Sequence, residues 1–240
     1  KNKANLLFFC DEKYNIKTLK KNLSSSDFSY INDLLKRLDL KKNLLIFEIS
    51  SEKKIVLVSI KNNLKNSDIE SLGAEFYAQV KSSKEKEYNI FSDSVAISNN
   101  YFLGYFLHGF KLKSYEFNKY KTKKNIKTIT LNIIGNKNKP SVQTQLKFKA
   151  LEEGVFYARD LVSEPGNILH PDEYAKRLLS LKKDGLKITV FDKRKLKKLG
   201  MYSLLGVGMG SIRGSYLVTL EWNGAKNNTK PLAFVGKGVT

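Results

Sequence analysis

Pro231-Leu-Ala-Phe-Val-Gly-Lys-Gly-Val-Thr240 is an apolar run that enters a Gly-Lys-Gly turn. Leu232 to Val235 are apolar without alternation, the pattern of a strand covered on both faces. The sequence therefore predicts Lys237 just beyond the carboxyl end of a central strand in an open α/β sheet, where such sheets bind ligands. Gly236 and Gly238 have no Cβ, so the backbone could approach a ligand closely while the Lys237 amine projects past it. A phosphate-binding loop would need the longer Gly-x-x-x-x-Gly-Lys-Ser/Thr spacing and a hydroxyl where Val239 stands. A surface turn with a solvated lysine fits the isolated tripeptide better.

Working outward from the turn, Tyr216 to Trp222 and Leu186 to Phe191 read as strands of the same sheet. Pro171 opens a helix where a missing amide costs nothing, with Asp172 and Glu173 in its favourable first turn. Leu151, Val155, Ala158 and Val162 recur at helical spacing, predicting a connecting helix with that face buried. It should end at Ser163 or Glu164, because the residue before Pro165 is driven out of the helical region. Asn136-Lys-Asn-Lys-Pro-Ser141 is polar and contains a proline, which places a boundary between an N-terminal α/β domain, residues 1–140, and the connecting helix with the start of a second domain, residues 141–240.

In the first half, Asn5 to Cys10, Leu44 to Ile49, Lys54 to Ile60, Tyr88 to Phe91 and Lys127 to Ile134 are short runs rich in apolar or β-branched residues and read as strands. Helices fall between them. Ser67 and Glu70 have the spacing of a capping box ahead of the apolar face Ile69, Leu72, Phe76 and Val80. A second helix covers about Tyr101 to Phe110, its aromatics suited to a core. The fold class expected is α/β, with a mixed sheet in the N-terminal domain.

Composition narrows the classes further. The chain holds 43 Lys and Arg against 23 Asp and Glu, a formal charge of +20. Residues 101–150 contain 11 lysines and one glutamate, half of that excess, and Tyr115, Phe117 and Tyr120 interleave with seven lysines between Lys111 and Lys127. That combination suits a nucleic-acid surface. Yet only Arg37, Arg159, Arg177, Arg194 and Arg213 are arginines, and Lys and Asn are abundant throughout, as a compositional bias producing a solvated surface would make them. A nucleic-acid or partner-binding module using the basic N-terminal domain is kept as the alternative function, with any nucleic-acid binding expected to be weak. No apolar run approaches the roughly 20 residues a membrane helix needs, and no secretory signal opens the chain. Cys10 is the one cysteine, which excludes an internal disulfide, fits a reducing cytoplasm and suits a buried strand position. His108 and His170 lack metal-ligand spacing and read as structural. Glu152, Glu153, Asp160 and Glu164 read as a solvated face, and Gly206-Val-Gly-Met-Gly210 as a strand-end turn without dinucleotide spacing.

Three stretches carry a family resemblance: Ala158-Arg-Asp-Leu-Val-Ser-Glu-Pro-Gly-Asn167, Leu199-Gly-Met-Tyr-Ser-Leu-Leu-Gly-Val-Gly-Met-Gly-Ser211 and Val235-Gly-Lys-Gly-Val-Thr240. With His170-Pro-Asp-Glu-Tyr-Ala and Leu186-Lys-Ile-Thr-Val-Phe-Asp192 between them, the chain from about residue 146 resembles the leucyl (cytosol) aminopeptidases. Before that the resemblance is weak, though Phe110 to Thr122 is similar to the family's N-terminal domain. The chain departs at Met209, where a Gln is usual, and at Ser215-Tyr216, where many members have Pro-Arg. The resemblance implies a macro-domain-like N-terminal domain followed by the first part of an α/β metallopeptidase catalytic domain. It implies removal of N-terminal residues from peptides, leucine preferred, in a cytoplasmic homohexamer with two divalent metal ions, Mn or Zn, per site. It also implies that Lys237 is a metal ligand. An ammonium has no lone pair, so that amine must lose its proton, which desolvation and a neighbouring cation favour. In family members the remaining ligands and the catalytic side chains lie downstream of this turn. The chain begins at Lys1 and ends inside the motif, so truncation at both ends is expected, together with a 240-residue piece that neither retains metal nor hydrolyses peptides.

Overall fold

The computed structural model describes residues 5–84, 86–96, 101–123, 128–225 and 230–238. By internal contacts the chain forms two compact units, Lys1–Arg159 and Asp160–Thr240.

The first unit contains, in chain order, β1 (Asn5–Asp11), α1 (Ser25–Leu35), β2 (Leu44–Ser50), β3 (Lys53–Ile60), α2 (Asn66–Val80), β4 (Glu87–Phe91), α3 (Phe102–Lys113), β5 (Thr130–Ile134) and most of α4 (Val142–Ser163). The strands form one mixed sheet in the order β2-β3-β1-β4-β5. β1 pairs in parallel with β3 and β4, and β4 with β5, while β2 runs antiparallel along β3. All five predicted strands of this half are present, although Lys127, the start of the last run, lies outside the described residues.

The central strands are apolar over most of their length because helices cover both faces. Leu7, Phe9, Val56, Val58, Tyr88 and Ile90 pack against Ile69, Leu72 and Phe76 of α2 and Phe102, Phe106 and Phe110 of α3. On the other face Leu6, Phe8, Cys10, Ile55 and Leu57 meet Ile31 of α1 and Tyr14, Ile16 and Leu19. Cys10 is buried, and burial, helped by the Asp11 charge, pushes its thiol up to about 12. A thiol so rarely ionised is an inert core group. Asn5, itself buried, spans both neighbours of β1: its Nδ2 donates to the Glu87 carbonyl (3.0 Å) and its Oδ1 accepts from the Lys54 amide (2.8 Å).

Where α2 crosses α3 the backbones nearly touch. A Cβ on Gly73 would stand 1.8 Å from the Phe106 carbonyl oxygen, and one on Gly109 1.9 Å from that of Glu70. Only glycine permits this approach. The N-terminus of α2 differs from the predicted capping box by two residues. The Asp68 carboxylate accepts from the Lys65 amide at 2.9 Å, because the helix begins at Asn66.

α4 ends at Ser163 as expected, but its buried face is not the expected one. Thr144 and Phe148 are buried, whereas Leu151, Ala158 and Val162 are exposed. The side chains of Thr144 and Phe148 fill the notch left by Gly104 of α3, which fixes the rotation of the helix. Phe148 meets Tyr105 edge-on at 5.0 Å, and His108 of α3 lies 3.0 Å through Nδ1 from Glu152 Oε1. Glu152 therefore leaves the predicted solvated face to pair with His108. These contacts also put the start of α4 in the first unit, so the units divide inside the helix rather than at the polar segment 136–141.

The second unit holds α5 (Pro171–Ser180), β6 (Lys187–Phe191), α6 (Lys193–Lys198), α7 (Tyr202–Val207) and β7 (Leu217–Glu221). β6 and β7 pair antiparallel, from Lys187 opposite Glu221 to Phe191 opposite Leu217. The third predicted strand is not formed: residues 231–238 have no regular structure, and Leu232, Phe234 and Val235 are 82%, 88% and 98% exposed. A strand is stabilised by its ladder and its covered faces. Among the described residues nothing pairs with this segment. Gly206 to Gly210 likewise closes helix α7, with Gly206 in its last turn and Gly208 at its C-cap, instead of ending a strand.

Candidate functional site around the Gly-Lys-Gly turn

Lys237 is exposed, and the position beyond the end of a central strand expected for it is not formed. Gly236 has open space about it, and the position a Cβ would take on Gly238 is 3.7 Å from the ring of Tyr174 on α5. The turn thus passes beside Tyr174 of α5, a helix whose first turns carry a polar network.

That network starts from local sequence. His170 caps α5, its Nδ1 accepting from the Glu173 amide at 3.4 Å, and Pro171 occupies the first turn without needing a hydrogen-bond partner. Asp172, next along, accepts from the Tyr216 hydroxyl at 2.6 Å and from the Gly214 amide at 3.3 Å, so α5 holds the loop that leads into β7. The Tyr216 hydroxyl is the first cause of an Asp172 carboxyl held below the ordinary carboxylate range, with the Gly214 amide and the Arg213 charge helping to outweigh partial burial. The same contact raises Tyr216, since an adjacent carboxylate disfavours a phenolate.

One turn further, Arg177 Nη1 donates to Glu164 Oε1 at 2.9 Å and its Nε to Glu173 Oε1 at 3.0 Å. The Glu164 side chain is 1% exposed. Hydrogen bonds to the two carboxylates raise the already high Arg177 and lower Glu173. Glu164 was expected on a solvated face. Its place before Pro165 instead turns it under α5, where leaving it unpaired would be costly. The signal that could have found this pair is Arg177 itself, one of only five arginines in a lysine-rich chain.

As to metal, no group of three or more His, Cys, Asp or Glu side chains placed to hold an ion occurs among the described residues. An exposed amine without convergent carboxylates does not fit a two-metal shell, so the described residues do not by themselves make up the centre that the resemblance implies. His108 and His170 are both engaged structurally, as expected.

The family profile described as "Cytosol aminopeptidase family, catalytic domain" matches residues 156–240. A probable cytosol aminopeptidase of Brucella suis is 37% identical over 196 residues, 78% of this chain and 39% of the relative. The chain belongs to the cytosol aminopeptidase family. Another such aminopeptidase, from Phytoplasma mali, is 41% identical over 162 residues, covering 64% of this chain and 32% of its own length. The chain thus spans about two fifths or less of the curated relatives it matches. Among solved structures, a tomato leucine aminopeptidase mutant superposes with a TM-score of 0.69 at 20% identity, over 90% of this chain and 47% of that one. The bottromycin maturation enzyme BotP in complex with Mn gives 0.68 at 16% identity, over 92% and 46%. At those identities the likeness is one of fold: a mixed α/β N-terminal domain followed by the start of a cytosol aminopeptidase catalytic domain.

Proposed function

We propose that this chain is part of a metal-dependent aminopeptidase that removes N-terminal residues from peptides, with leucine-like side chains preferred. The observation that carries the reading is the match of residues 156–240 to the cytosol aminopeptidase catalytic domain, a match that includes the Val235-Gly-Lys237-Gly turn. In this proposal Lys237 would be the residue of this chain that holds one of two divalent ions, manganese or zinc. The ions would supply Lewis-acid chemistry at the scissile carbonyl. BotP, which shares the fold, is a complex with Mn. Because the described residues lack a metal shell, no step is assigned to them. What they supply is the seat of the turn: Asp172, Tyr216, Glu164 and Arg177 brace α5, against which the turn lies. A cytoplasmic homohexamer completes the proposal.

The test compares the whole protein with its Lys237→Ala variant. Hydrolysis of leucyl-amide with added manganese or zinc, and reduced bound metal in the variant by atomic emission, support the reading. Unchanged metal content would leave Lys237 as a turn residue, and absence of hydrolysis of any aminoacyl-amide by the metal-loaded whole protein would sink the activity. The 240-residue chain alone is expected to be inert toward the same substrates.

A further inference from the structure

Gly236 and Gly238 flank Lys237 symmetrically in sequence but not in space. A Cβ on Gly236 would meet nothing within 4 Å, whereas one on Gly238 would stand 3.7 Å from Cε1 of Tyr174, at ordinary van der Waals distance. Neither glycine has a positive φ, so a left-handed backbone does not account for the pair. The apolar residues ahead of the turn give it no anchor, since Leu232, Phe234 and Val235 are exposed. Among the described residues, the ring of Tyr174 is therefore the surface on which the turn rests.

That ring is aimed by its neighbours. The Tyr174 amide donates to the His170 carbonyl at 2.9 Å in the first turn of α5. Before it in sequence, Asp172 is tied to Gly214 and Tyr216, and Glu173 is tied through Arg177 to the buried Glu164. After it, Ala175 is buried. With both flanks fixed, α5 cannot turn about its own axis, and the direction of the Tyr174 side chain follows from the fold. Among the described residues the Tyr174 hydroxyl makes no hydrogen bond, so the ring carbons and not the phenol make the contact.

We propose that Tyr174 is a positioning residue, whose ring seats Gly238 and thereby fixes where the Lys237 side chain points. A lysine on a turn with no strand ladder samples many directions, and a ring against the next residue removes most of them. Misplacing by about 1 Å a group that serves a reaction costs up to ~10²-fold in rate. The consequence for hydrolysis rests on the aminopeptidase reading given above; the seating of the turn does not.

Nuclear magnetic resonance of the 240-residue chain carrying isotopically labelled glycine reads the contact directly. The ring current of Tyr174 displaces the α protons of Gly238 from their free-peptide position and leaves those of Gly236 in place. Tyr174→Ala returns Gly238 to the free-peptide position, while Tyr174→Phe, which keeps the ring, holds it displaced. A Gly238 signal at the free-peptide position in the parent, or one that Tyr174→Ala does not move, overturns the proposal. In the whole protein, Tyr174→Ala lowers kcat for leucyl-amide about 10- to 100-fold with KM changed by less than about twofold, and Tyr174→Phe retains the parent's kcat. An unchanged kcat in Tyr174→Ala, or a loss that Tyr174→Phe shares or that comes with a lowered urea midpoint, makes Tyr174 a packing residue and overturns the proposal as well. Absence of hydrolysis by the parent whole protein sinks the aminopeptidase reading instead, and the Gly238 signal then decides the seating by itself.

Discussion

Asp172 concentrates much of what holds the second unit together, since one carboxylate fixes both the cap region of α5 and the loop into β7. Its folded pKa lies below the ordinary value, so the stability it contributes is fully present above the unfolded Asp value, near 3.9, and is lost as pH falls through the lower folded value. Tyr216→Phe removes the first cause of that shift. Discounted for its partial exposure, the bond is worth about 0.5–1 kcal/mol at neutral pH. Urea unfolding of the variant and the parent should differ by that amount at neutral pH and converge as Asp172 protonates in the parent; a deficit that persisted in acid would mean packing, not the charged hydrogen bond. Neither this pair nor Glu164–Arg177 was legible from spacing, because the partners stand 44 and 13 residues apart and meet only through the fold.

At the scale of elements, the α2–α3 crossing depends on two glycines whose added Cβ would collide with backbone, not with movable side chains. Gly73→Ala or Gly109→Ala should force the helices apart and cost about 3 kcal/mol, read as a lowered urea midpoint; a change within about 0.5 kcal/mol would show that the crossing relaxes freely. The apolar faces of both helices were legible in sequence, as were the five strands, since burial on one or both faces writes itself into the residue pattern. The rotation of α4 was not. Leu151, Ala158 and Val162 form a helical stripe as regular as the one that is buried, and only the notch at Gly104, shaped to take Phe148, selects between them. The capping of α2 failed in the same way, because Ser67 with Glu70 and Lys65 with Asp68 both satisfy the spacing.

For the molecule as a whole, the two units differ in what they bury. The first has a core on each face of its sheet, whereas in the second Ile212, Trp222, Leu232, Phe234 and Val235 are exposed. Hydrogen exchange on the 240-residue chain should leave the amides of β1 protected to the level of global unfolding, while residues 231–238 exchange within seconds. Protection of that segment would mean that it forms the strand its sequence suggests. By itself the sequence determined the α/β class, the strands of the first sheet, the helix boundaries at Ser163 and Pro171 and the family, because periodicity, proline geometry and motif order are local properties. Tertiary structure alone decided which face of α4 is buried, which carboxylates pair, and that Leu232 to Val235 lies uncovered. An apolar run records that burial is favourable, but a strand exists only where another strand is present to receive its hydrogen bonds.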